Sequence, residues 1–180
     1  MEEIKEKNFK GFLREDNFTI IKYDNSITSL IEKGYGTQEN KYVILYPLET
    51  IYLMYKNIIK VEDSRGNEVS FEGMIKRLIK HDKNLWLKFT IYSDLRKRGF
   101  IVKRGIMPLT FLVEKRGEKG VKKYMVACLK EGARVGFLEL ETFFRRSIES
   151  NRELIVAIVD KEGNVSYYSV EKIYPNKKEV

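Results

Sequence analysis

Histidine, cysteine and glutamine are each down to a single residue in this chain of 180 residues: His81, Cys128 and Gln38. One cysteine excludes a disulfide framework within the chain. Together with one histidine it cannot supply the ligands of an ordinary zinc site. No carboxylate cluster has a recognisable metal spacing either, so neither a metal nor a cofactor is expected. Cys128 lies in an apolar stretch and reads as a buried, inert thiol. No uncharged apolar run approaches the roughly 18 residues that a membrane span needs, and the opening MEEIKEKNFKG lacks the apolar segment of a signal peptide. The expectation is a soluble, cytoplasmic protein with no membrane partner. Internal repeats and low-complexity tracts are also missing.

What is present is a large apolar fraction, 43%, which excludes disorder, in a chain long enough for one domain or two small ones. The formal net charge is +8 and the isoelectric point about 9.4, which makes nucleic acid the leading class of partner. Heavy use of Lys and Glu is a composition associated with proteins that work hot.

Residues 9–24 alternate loosely around a polar turn at 15–17 and read as a hairpin. Ser26 is a candidate N-cap for a short helix through Ile27, Leu30 and Ile31, ended by Gly34 and Gly36. A brief strand, 42–46, leads to Pro47 at the first position of a helix whose Leu48, Ile51, Tyr52 and Tyr55 share a face. Another strand, 58–62, closes in a turn at 64–67, and Ser70 caps a helix over 71–80 with Met74, Ile75 and Leu78 inward. The polar segment 80–84 is the best boundary, giving domains 1–82 and 83–180. The fold class is α/β (α+β): a small N-terminal α+β domain, then a nuclease-like α/β domain with a central mixed sheet.

From Leu85, apolar residues at Phe89, Tyr92 and Leu95 keep helical spacing until Gly99 stops the helix, and 100–102 is a strand. The knuckle Arg96-Lys97-Arg98, with Lys103 and Arg104, sets five cations on one connection, a polyanion-facing arrangement. A strand at 109–114, a glycine-bearing turn at 115–120 and a returning strand at 121–129 follow. From Lys103 to Lys130 there are eight basic residues against two acidic ones. A loop, 130–136, precedes a helix over 137–149 with Phe137, Leu140, Phe144 and Ile148 inward. Residues 153–159, ELIVAIV, read as a central strand covered on both faces, and 165–173 as its hairpin partner.

Three stretches together carry a resemblance. Tyr92-Ser93-Asp94-Leu95-Arg96-Lys97-Arg98-Gly99-Phe100-Ile101-Val102-Lys103 resembles the Y-x-D-L-R-x-R-G-(Y/F)-x-V-K signature of the archaeal tRNA-splicing endonuclease family. LIVAIVDKEGNVSYYSVEKIYP is similar to that family's closing hairpin, and the pattern around Tyr35-Gly36 and residues 47–55 is similar to its N-terminal domain. The resemblance implies RNA cleavage by attack of the substrate's own 2′-hydroxyl, leaving a 2′,3′-cyclic phosphate and a 5′-hydroxyl. This chemistry needs a proton acceptor, a proton donor and a cation beside the phosphate, which the family supplies as Tyr, His and Lys.

In this chain Glu114 stands where the tyrosine belongs, just before Arg116-Gly117. Tyr124 stands where the histidine opens the returning strand, and Glu153 where the lysine precedes the apolar strand. A shift of one residue brings Arg152 in for the lysine, but no shift restores a histidine. A glutamate at the cation position would repel the phosphate. The resemblance therefore implies no catalytic residue here, and the structural, non-catalytic subunit of a heteromeric splicing endonuclease. The alternatives are an active RNA endonuclease with a rebuilt site and an RNA-binding scaffold outside splicing.

The implied assembly is two of these chains with two catalytic ones around precursor tRNA; a homodimer could form alone. Val165, Tyr167, Tyr168 and Val170 would extend a sheet across subunits. The loop 130–136, acidic in relatives, keeps only Glu131. RNA contacts are expected from Arg96, Arg98, Lys103, Arg104, Arg145 and Arg146.

Overall fold

The structure, a computed structural model, describes residues 8–118 and 120–171. These form two compact units that divide after Lys97. The first holds β1 (Phe9–Leu13), β2 (Thr19–Lys22), α1 (Thr28–Glu32), β3 (Thr37–Glu39), β4 (Tyr42–Leu45), α2 (Pro47–Tyr55), β5 (Ile59–Glu62), β6 (Glu68–Val69), α3 (Phe71–Ile79) and α4 (Leu85–Lys97). Its sheet has the order β3-β4-β2-β1-β5-β6 and is mixed, with β1 and β5 parallel. Two of these strands, β3 and β6, are too short and polar to show a period in the sequence.

Local chemistry fixes most element ends. Ser70 caps α3 as expected, its Oγ accepting from the Gly73 N–H at 3.0 Å. Ser26 does not cap α1: the N-cap is Ile27, and the Asp24 carboxylate instead accepts from the N–H groups of Ser26 at 2.7 Å and Ile27 at 3.3 Å. An aspartate two residues upstream outcompetes the serine because its charged oxygen is the stronger acceptor. At the other end of α1, Gly34 (φ 78°) and Tyr35 donate back to Ile31 and Leu30, a Schellman close. Gly36 (φ 65°) follows, and a Cβ there would lie 2.5 Å from a Val43 methyl, so no other residue fits.

By its packing α4 stands with the first unit. Its Phe89 meets Tyr55 and Phe71, and its Tyr92 meets Tyr52 edge to face at 5.4 Å. Tyr52 in turn stacks on Tyr35, over which the Arg96 guanidinium lies at 3.7 Å. Burial, with the Tyr35 hydroxyl beside it and Arg96 pulling the other way, pushes the Tyr52 hydroxyl from 10.0 up to about 12. The folded state thus holds a proton that the unfolded chain releases from about pH 10 upward. The stability linked to it is whole below pH 10 and lost as pH rises through about 12. Urea midpoints for Tyr52→Phe are expected to fall less steeply across that window than those of the unaltered chain, and equal slopes would refute the linkage.

The second unit holds β7 (Ile101–Arg104), β8 (Thr110–Gly117), β9 (Gly120–Lys130), α5 (Phe137–Glu149), β10 (Glu153–Val159) and β11 (Val165–Val170) in a mixed sheet ordered β11-β10-β9-β8-β7, with β9 and β10 parallel. The tight β7–β8 connection depends on Gly105: a Cβ there would fall 2.3 Å from the Thr110 carbonyl oxygen.

Three expectations are corrected in this unit. The centre of the sheet is β9, with Met125, Val126, Ala127 and Cys128 buried, whereas β10 is next to the edge. In β10 only Leu154 and Ala157 are buried, so its unbroken apolar run is half-covered.

The second correction concerns α5, which is rotated relative to the expected face. Phe143 is buried against Met125, Ala127 and Leu154, the expected Leu140 and Phe144 are half-buried against the same cluster, and Ser147 is buried, while Phe137 is 79% and Ile148 61% exposed. Apolar residues occupy more than one stripe of this helix, so the period alone could not select the buried one.

Third, residues 115–117 of the expected turn 115–120 continue β8 instead, and the turn is reached at Glu118. Residues 172 and 173, expected to end the last strand, lie outside the described residues.

Candidate functional site

The three positions singled out in the sequence, Glu114, Tyr124 and Glu153, lie on the adjacent strands β8, β9 and β10. α5 ends on Asn151 (φ 53°), whose N–H donates to the Ile148 carbonyl, and the Arg152 N–H returns to Ser147 at 2.9 Å. This Schellman close aims Arg152 across the sheet. Its Nη2 donates to Glu114 Oε1 at 2.7 Å and its Nη1 to the Val113 carbonyl at 3.3 Å. The pair is partly enclosed, with the Arg152 side chain 12% and the Glu114 side chain 34% exposed.

Register separates the other two positions from that pair. Glu114 stands opposite Lys123, Val113 opposite Tyr124, and Tyr124 beside Glu153. Side chains alternate across a strand, so Tyr124 and Glu153 share the face opposite to that of Glu114 and Lys123. Arg152 therefore stands beside Glu114, and Glu153 is exposed on the far face. Tyr124 meets Phe100 edge to face at 6.2 Å.

The sequence-derived basic residues are scattered. Arg96 is tied to Tyr35 and to the Lys33 carbonyl within the first unit. Arg98 lies 5.4 Å from the Tyr167 ring centre in the second. Lys103 is half-buried, Arg104 and Arg145 are exposed, and Arg146 pairs with Glu149 at 3.0 Å. On β11, Tyr168 is 56% exposed, and Val165, Tyr167 and Val170 are half-buried. Beside it, an open groove of about 430 Å³ is lined by Phe137, Leu140, Phe144, Ile148 and Val170, a feature hidden from the sequence by the rotated α5. Glu131 is exposed, its N–H held by the Val159 carbonyl. Among the described residues there is no group of three or more His, Cys, Asp or Glu placed to hold a metal, and no helix long and apolar enough to cross a membrane.

The chain is thus a protein of two mixed α+β units, one built on a six-stranded sheet and the other on a five-stranded one. Two family models match it: tRNA intron endonuclease, N-terminal domain, over residues 9–75, and tRNA intron endonuclease, catalytic C-terminal domain, over residues 85–167. The chain belongs to the tRNA intron endonuclease family. It is 31% identical over 155 residues to a tRNA-splicing endonuclease of Methanococcus vannielii, covering 84% of this chain and 88% of that one. To the tRNA-splicing endonuclease of Pyrococcus horikoshii it is 30% identical over 141 residues, covering 78% and 82%. To that of Methanococcoides burtonii it is 28% identical, covering 77% of this chain but only 39% of the longer relative.

Proposed function

We propose that this chain is the structural, non-catalytic subunit of a heteromeric tRNA-splicing endonuclease, with residues 1–82 and 83–180 as its two family domains. Two copies join two catalytic chains and help to hold precursor tRNA for intron excision. The observation that carries the reading is the Arg152–Glu114 ion pair. A carboxylate occupies the expected tyrosine position and neutralises the nearest cation, at 2.7 Å. A phosphate approaching that cation would have to displace or face a negative charge, which raises rather than lowers its energy. The sole histidine, His81, lies just beyond α3, and the expected histidine position holds Tyr124, whose phenol is a far weaker acid than an imidazolium.

The exposed Tyr168 on an edge strand, next to the apolar α5–β11 groove, supports assembly through β11. Backbone pairing there would extend the five-stranded sheet, and the groove supplies apolar area. The test is reconstitution: cleavage of an intron-bearing precursor tRNA by this chain alone, by a chain retaining Tyr, His and Lys, and by the two together. Cleavage by the isolated chain overturns the reading. Failure of the two chains to assemble favours an RNA-binding scaffold.

A further inference from the structure

The β8–β9 hairpin outruns its neighbours. β7 follows β8 only as far as Glu114, opposite Ile101, and β10 follows β9 only from Tyr124. The pairs Lys115↔Lys122, Arg116↔Val121 and Gly117↔Gly120 project beyond them as a two-stranded ribbon. Every described residue from 115 to 123 is exposed. A free ribbon of two strands is marginal in water, and this one places two lysines directly opposite each other, an arrangement that costs stability.

The chain relieves such a clash elsewhere. Lys10 stands beside Lys60 in the β1–β5 pair, and Lys10 is neutralised by Glu62 at 2.7 Å. Among the described residues of the ribbon no ion pair gives such relief: Glu114, the acid at its base, is engaged by Arg152, and Glu118, Arg116, Lys122 and Lys123 form none.

The two lysines fall on the face that carries Tyr124. The Lys115 ammonium lies 4.8 Å from the Phe100 ring centre, and Phe100 meets Tyr124. Arg116 and Lys123 fall on the other face. Uncompensated cations next to aromatic rings on a projecting ribbon fit a polyanion with flat bases better than an acidic polypeptide.

We propose that this ribbon is a phosphodiester-binding arm. Lys115 and Lys122 hold successive backbone phosphates of an RNA strand, and Arg116 and Lys123 hold its neighbours from the opposite face. The arm explains why a like-charged pair is kept: the charge is satisfied by the ligand and not by the protein. The assignment rests on this chain working on RNA, whichever subunit cuts.

The test is fluorescence anisotropy of the full chain with a labelled single-stranded oligouridylate across a salt series. Lys115→Gln with Lys122→Gln is expected to lower the slope of log affinity against log salt by about 1.4, two phosphate contacts at about 0.7 each on a single strand. The melting temperature should stay level or rise, because the repulsion is gone. Lys10→Gln with Lys60→Gln removes the same formal charge and is expected to leave the slope unchanged. Equal slope losses in both pairs would reduce the effect to net charge and overturn the arm. A lower melting temperature in the ribbon variant would make the pair structural, and displacement of the RNA by polyglutamate at equal charge would reassign the surface to an acidic protein. Both results would refute the proposal. None of these readouts depends on cleavage, so the subunit role stands or falls separately.

Discussion

Cleavage of an intron-bearing precursor tRNA is expected to remain at background with this chain alone, and to rise by at least about 10³-fold when a triad-bearing chain is added. The size follows from what is missing. A positioned acid or base contributes about 10²–10⁴-fold, and one electrostatic donor at a developing charge about 10²–10³-fold. On the proposed reading the base position holds Glu114, which is in an ion pair, the acid position holds Tyr124, which packs edge to face on Phe100, and the cation position holds Glu153, on the face opposite Glu114. Losing all three roles leaves only substrate positioning, which this chain would lend to its partner. The assay reads RNA fragments with cyclic-phosphate ends at equal total protein, with the partner alone as reference. A partner that cuts equally well without this chain would limit the latter to a scaffold.

The sequence was most informative where a rule with one answer applied. Pro47 opens α2, Ser70 caps α3 and the aromatic period of 85–95 builds α4, because each feature has a single low-energy use in a helix. It was least informative where two patterns overlap. The apolar residues of α5 admit two faces, and only the sheet beneath, with Met125, Ala127 and Leu154, selects Phe143 over Phe137.

The site shows the same division. That Glu114 and the start of β10 come together follows from strand order. That Arg152 is the residue beside Glu114 depends on Asn151 adopting φ 53° to close α5, a backbone choice with no periodic signal. The ribbon is hidden in the sequence for a related reason. Lys115-Arg116-Gly117 reads as a turn on composition, but glycine at 117 and 120 allows a tighter connection and leaves the lysines on paired strands.

Removing the Arg152 guanidinium separates a structural pair from a rebuilt active site. Arg152→Ala leaves Glu114 one-third exposed and without the ion-pair partner it has in this structure. That exposure screens the charge, so the cost is expected at about 1–2 kcal/mol, below the range for a fully buried pair. In a chain of this size that lowers the melting temperature by roughly 2–8 °C. Glu114→Gln should cost less, because an amide oxygen still accepts from the guanidinium, and a double-mutant cycle should return a coupling near 1 kcal/mol. The decisive comparison is between stability and rate in the mixed assembly. If the pair only closes α5 onto β8, Arg152→Ala shifts the melting temperature and leaves cleavage at the partner's sites within about twofold. If Arg152 is instead the cation that steadies the phosphate, cleavage falls by about 10²-fold or more while the melting temperature falls only modestly. Conservative Arg152→Lys sharpens the division. Lysine keeps the charge but not the forked contact to both Glu114 and the Val113 carbonyl. It should restore a catalytic cation while leaving a structural clamp impaired.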